Sequence, residues 1–154
     1  MSFIKTIFGA IWRAIFGEPR ASSADVAAFF ADCSTLTSFA AKLANLGFSW
    51  KSDGLNVSKK YDTFLAPDLF IPRKGGNCSD FFRFFIEFAE RKNIYDEIKY
   101  VLLTGPGNRW HYVSLYRCGS IWWQQSNMNV NIISGPDKVN YEGYGIPEFI
   151  KKPW

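Results

Sequence analysis

One histidine, three cysteines and two methionines are all that this 154-residue chain has of the side chains that bind soft metals or shuttle protons near neutral pH. That scarcity excludes a good deal. Any mechanism that needs an imidazole base must use His111, because there is no other. Cys33, Cys78 and Cys118 are odd in number, include no C-x-x-C pair, and do not make a disulfide framework. With the one histidine they could build a single improvised zinc site, so no metal centre is expected. No apolar run approaches the roughly 20 residues of a membrane span. Blocks of like charge are missing too. The net charge is +4 and the pI about 9.0, yet Lys and Arg are scattered, as where Arg91-Lys92 sits beside Glu87 and Glu90. Without a basic stripe, a helix-turn-helix or a zinc-finger pattern, nucleic acid is not an expected partner.

What is present is a globular composition, 47% apolar and 21% charged, with a surplus of 15 phenylalanines. The length fits one compact domain behind a distinct N-terminal segment, divided as residues 1–20 and 21–154. In MSFIKTIFGAIWRAIFG, apolar pairs recur every four residues from Phe3-Ile4 to Ile15-Phe16 and leave Lys5, Thr6, Gly9 and Arg13 opposite. Arg13 interrupts the apolar core that a secretory signal requires, so no signal peptide is read here. The segment is expected to be an amphipathic helix that docks on a larger assembly or a membrane surface.

The body begins with helical signals. Ser22 and Asp25 form a capping-box pattern before a helix over about Ala24 to Asp32, burying Val26, Phe29 and Phe30. Ser34 or Thr35 caps a second helix carrying Phe39, Leu43 and Leu46 and stopped by Gly47. Residues 48–76, with Gly54, Pro67, Pro72 and Gly75-Gly76, read as loop. From Cys78 to Lys92 the spacing predicts a helix with Phe81, Phe82, Phe85, Ile86, Phe88 and Ala89 buried and Arg83, Glu87, Glu90 and Arg91 solvated. Strands follow at Ile98–Leu103, His111–Arg117, Ile121–Gln125 and Val130–Ile133, with turns at Thr104–Asn108 and Cys118–Ser120. Helices and then a run of antiparallel strands make an α+β domain. The aromatic tail, Tyr141, Tyr144, Phe149, Ile150 and Trp154, is expected in the core or on a docking surface.

One constellation carries chemistry. Cys78 follows two glycines and opens the Phe-rich helix, where the helix dipole and a neighbouring imidazolium favour thiolate. Backbone N–H groups at a helix start can also stabilise an oxyanion. His111 opens a strand after a Gly-rich turn and is positioned to reach that helix start. A third group should orient the imidazole. The hairpin returns the chain past His111 at Gln125, Ser126 and Asn127, of which Asn127 is favoured because its amide oxygen can accept from the ring. Cys33, in an apolar helix, and Cys118, in a turn, are bystanders.

These residues carry a resemblance. Phe48-Ser49-Trp50 with Asp53, Tyr61-Asp62, Leu65-Ala66-Pro67, Lys74-Gly75-Gly76-Asn77-Cys78-Ser79-Asp80-Phe81, Trp110-His111-Tyr112-Val113 and Ser126-Asn127 occur in that order. Over about residues 35–130 the chain resembles the bacterial transglutaminase-like cysteine proteinases, including those carried by bacteriophages. The resemblance implies a papain-like core, with the nucleophile's helix packed on an antiparallel sheet. It also implies Cys78 as nucleophile, His111 as base and Asn127 as orienting residue, with no cofactor. Asn77 stands where that family often has Asp, and no Asp lies in Gln125–Asn127. A second likeness, to NlpC-type peptidoglycan endopeptidases, shares the nucleophile and base, but Asp80 stands where glycine is expected. The expected activity is amide hydrolysis on a protein, a peptide or peptidoglycan, by a cytoplasmic or virion-associated protein. The alternative is a non-enzymatic virion component on an inactive scaffold of the same kind.

Overall fold

In the computed structural model, which describes residues 17–51, 64–139, 141, 143–145 and 147–154, helices with two short strands among them precede the strands of the main sheet. Residues 1–16 of the expected N-terminal helix lie outside the described residues, as do Asp53 and Tyr61-Asp62. Helix α1 spans Ser23–Ala31, and its capping box forms as the sequence suggests: Ser22 Oγ accepts from the Asp25 amide at 3.1 Å while the Asp25 carboxylate accepts from the Ser22 amide at 3.2 Å. Helix α2, Leu36–Asn45, is capped by Thr35, whose Oγ1 accepts from the Ser38 amide.

Among its described residues, the expected loop over 48–76 contains three short elements. Strand β1 (Ser49–Trp50) pairs in parallel with β2 (Gly75–Gly76), and helix α3 (Pro67–Arg73) lies between them in sequence. Reading both prolines as breakers hid α3. Pro67 occupies a first-turn position, where a missing N–H removes no helical bond. Lys74 closes the helix in the left-handed region at φ 52°.

Helix α4 runs from Cys78 to Lys92, the span that the sequence predicts, and ends at Asn93 in the left-handed conformation. Five antiparallel strands follow: β3 (Glu97–Gly105), β4 (Arg109–Cys118), β5 (Ile121–Ser126), β6 (Asn129–Ile133) and β7 (Pro147–Ile150), in the order β6-β5-β4-β3-β7. The domain is α+β. Strand β7 was not legible in the sequence, because a four-residue edge strand beginning at a proline shows no alternation long enough to read.

The sheet separates two clusters. On one face α4 packs on β4 and β5, and its phenylalanines join Phe30, Phe39, Phe48, Phe70, Leu102, Tyr112 and Tyr116. Phe84, which the helical reading left off the buried face, is fully buried and touches the rings of Phe29, Phe30, Phe39, Phe48 and Phe70. Burying each such side chain contributes about 1.5–3 kcal/mol, so this face supplies most of the apolar driving force. The other face holds Val101, Leu103, Val113 and Leu115, against which Trp122, Ile133, Val139, Tyr141 and Tyr144 pack. Of the aromatic tail, Ile150 and Trp154 reach the first cluster, Tyr141 and Tyr144 the second, and Phe149 is left exposed.

Candidate active site

The start of α4 is held by reciprocal hydrogen bonds. Asn77 Oδ1 accepts from the amides of Ser79 at 3.0 Å and Asp80 at 3.2 Å, and from the Ser79 hydroxyl. Asp80, almost wholly buried, returns the bond: Oδ2 accepts from the Asn77 amide at 3.0 Å and Oδ1 from the Leu65 amide at 2.8 Å. A side chain at Gly76 would place its Cβ 2.2 Å from Asp80 Oδ2, and one at Gly75 would meet the Ser49 carbonyl oxygen at 1.9 Å. The glycine pair is therefore required by the close approach of β1 and of the Asp80 carboxylate. Cys78 becomes the first residue of the helix and is half-buried. Because the cap engages the Ser79 and Asp80 amides, those two donors are not the ones an oxyanion would find.

Cys78 Sγ lies 4.0 Å from the carbonyl oxygen of Trp110, the residue before His111. Strand β4 runs on past its pairing with β5, whose last β4 partner is Ser114, so the Trp110 end of β4 beside Cys78 lies beyond the β5 ladder. The thiol also interacts electrostatically with the Tyr144 hydroxyl. Burial raises the Tyr144 pKa most; Arg109 opposes that, and charge on Tyr141 and Cys78 adds to it.

His111 is 4% exposed. Side chains alternate along β4, so Tyr112 and Tyr116 face the phenylalanine cluster while His111 falls in phase with Val113 and Leu115. Its ring stacks on Tyr141 at 3.9 Å between centroids and lies 5.7 Å from Tyr144. Nε2 shares a 2.7 Å hydrogen bond with Ser126 Oγ. Among the described residues Nδ1 has no hydrogen-bond partner. Burial lowers the His111 pKa from the ordinary 6.5 to about 4, so the ring is neutral at pH 7.

The structure thus brings Cys78 to the strand of His111, without a hydrogen bond between thiol and ring. The orienting contact goes to Ser126. Its neighbour Asn127, favoured from the sequence, sits in the β5–β6 turn at φ 52°, a left-handed position that asparagine tolerates. Its side-chain Oδ1 is buried with no partner among the described residues. Strand parity would have selected Ser126. Ser114 pairs with Gln125, so Val113 faces Ser126, and His111, two residues earlier, lies diagonally from Ser126 on the same face. Tyr141 and Tyr144 also escaped the sequence reading as part of the site; they lie far along the chain and carry no motif. Compared with protein-family models, with curated proteins and with solved structures, the chain matches none.

Proposed function

We propose that the protein is a thiol hydrolase of papain-like, transglutaminase-like architecture that cleaves an amide bond in a protein or peptide. The observation that carries this reading is the juxtaposition of a half-buried cysteine at the start of a capped 15-residue helix with the strand bearing the chain's single histidine. A helix packed on an antiparallel sheet, with the thiol at its positive end, agrees with that architecture.

In this reading Ser126 holds Nε2, and Nδ1 takes the thiol proton. The thiolate then attacks the amide carbonyl carbon, and the imidazolium returns its proton to the departing amine, leaving an acyl-enzyme. Water gives a proton to His111 and attacks the acyl carbon. The carboxylic acid leaves, and the thiol recovers its proton. Nε2–H donates to Ser126 Oγ throughout, so the orienting role moves from Asn127 to Ser126. A hydroxyl stabilises imidazolium less than a carboxylate would, in keeping with the low pKa of the ring.

One observation favours the rival, a non-enzymatic scaffold: the ring is stacked on Tyr141, beside Tyr144, and its Nε2 is bonded to Ser126. Alkylation separates the two. Iodoacetamide labelling from pH 5 to 9, read by mass spectrometry at each cysteine, carries its own controls in exposed Cys118 and buried Cys33. A thiol hydrolase labels fastest at Cys78 at neutral pH and loses that advantage in His111→Gln. If Cys78 labels no faster than Cys118, the scaffold reading stands instead.

A further inference from the structure

Beneath the sheet, on the α4 side, runs a chain of polar groups that the apolar packing does not need. Tyr116, Ser114 and Gln125 are all fully buried. The Ser114 hydroxyl lies 2.8 Å from the Tyr116 hydroxyl and donates to Gln125 Oε1. Gln125 Nε2 donates in turn to the backbone carbonyl of Asn127 at 2.6 Å. Burying three polar side chains among phenylalanines is unfavourable unless each is bonded, and a completed network of this kind fixes geometry rather than adding stability.

What this chain fixes is the turn. Gln125 is anchored to β4 through Ser114 and to the turn through the Asn127 carbonyl, so it grips the residues on either side of Ser126. Ser126, between them, projects to the opposite face and bonds His111 Nε2. We infer that Gln125 is a positioning residue that acts through the Ser126 hydroxyl to fix the orientation of the His111 ring. The catalytic meaning of this inference rests on the thiol hydrolase reading; the positioning itself does not.

The single histidine makes the test direct, because its two ring nitrogens give one unambiguous set of signals in long-range proton–nitrogen spectra. Those signals report the tautomer and the hydrogen bonding of each ring nitrogen. Ser126→Ala should shift the Nε2 signal and move the ring's titration midpoint. Gln125→Met, close in length but without polar atoms, should move both in the same direction. The Gln125→Met/Ser126→Ala pair should add little to Ser126→Ala alone. Where Gln125→Met does not fold, Ser114→Ala/Tyr116→Phe/Gln125→Met replaces the polar side chains together and serves instead, since removing bonded partners jointly is far milder than orphaning one.

The inference is overturned if a folded Gln125 variant leaves both ring nitrogens and the midpoint unchanged while Ser126→Ala shifts them. In parallel, Cys78 labelling at pH 7 should fall roughly tenfold in either single variant, the scale on which outer-shell partners act. Ring signals that move without any change in labelling would uphold the positioning and defeat the thiol hydrolase reading. Labelling that depends on His111 but not on Gln125, with static ring signals, would do the reverse.

Discussion

The two faces of the five-stranded sheet are covered by different materials. On the α4 side, ring packs on ring: Phe39 stacks on Phe88 at 4.1 Å, and Phe84 touches five other phenylalanines. On the other side, four aliphatic residues and His111 lie beneath Tyr141 and Tyr144. That cover is strapped on by backbone, with the Gly145 amide donating to the Thr104 carbonyl and the Tyr144 ring against Gly105. Farther along the same face the Lys99 ammonium lies 5.8 Å from the Trp122 ring and 5.6 Å from that of Phe149, which is 53% exposed. The contrast teaches a division of labour. Stability is concentrated where large apolar side chains interlock, and the titratable chemistry sits where the cover is thin.

The largest expected effect breaks the first face. Phe84→Ala should lose about 3–5 kcal/mol in denaturant unfolding, because the rings around it cannot collapse into the void. Val113→Ala on the second face should lose about 2 kcal/mol, the transfer energy of two methyl groups plus a small cavity. Equal losses would mean that the faces do not differ as the packing indicates.

Acid acts on the second face. Burial holds His111 at about 4, against 6.5 for an exposed ring, so the folded chain binds its proton less readily than the unfolded one. Between those values the unfolded chain takes up a proton that the folded chain refuses. Stability therefore falls as the pH drops from about 6.5 toward 4, by about 3 kcal/mol from this group. His111→Gln cannot titrate, so comparing the two proteins' unfolding free energies from pH 7.5 to 4 isolates the effect from that of the carboxylates. Parallel curves would show that the ring is not buried in its neutral form.

How much of this was legible beforehand follows the same division. The α4 side was open to reading because helical periodicity is strong there: the Cys78–Lys92 span and most of its buried face follow from the spacing of Phe81, Phe82, Phe85 and Phe88. The capping box at Ser22 was legible for a similarly local reason, and the cap of α2 only as far as Ser34 or Thr35, of which the structure uses Thr35. Around His111 the determinants are long-range. Choosing Asn127 rested on what an amide oxygen can accept, whereas the geometry obeys the hairpin register, with Cys118 opposite Ile121 and so Val113 opposite Ser126. That register was implicit in the two-residue Gly119-Ser120 turn, and counting back from it selects Ser126 by parity alone. The stacking of Tyr141 on His111, 30 residues distant in sequence, had no local signal at all.

The smallest expected effect asks whether the two faces are independent at the end of β4 that Cys78 approaches. Asn77→Ala removes the cap that accepts from Ser79 and Asp80, and should lower stability by about 1 kcal/mol. Asp80 still ties the Leu65 amide, so the helix start should loosen without melting. Cys78 sits on that first turn, and its labelling rate should change as its helix-dipole environment relaxes. His111 is held from the other side, by Ser126 and Tyr141. Its titration midpoint, followed by its ring proton signals, should therefore stay near 4 while Cys78 responds. A midpoint that climbs toward 6.5 would mean that loosening α4 admits water to the ring. The cap on the phenylalanine side would then be part of what keeps His111 neutral, and the separation between a stabilising face and a chemical one would fail at the β4 end beside Trp110.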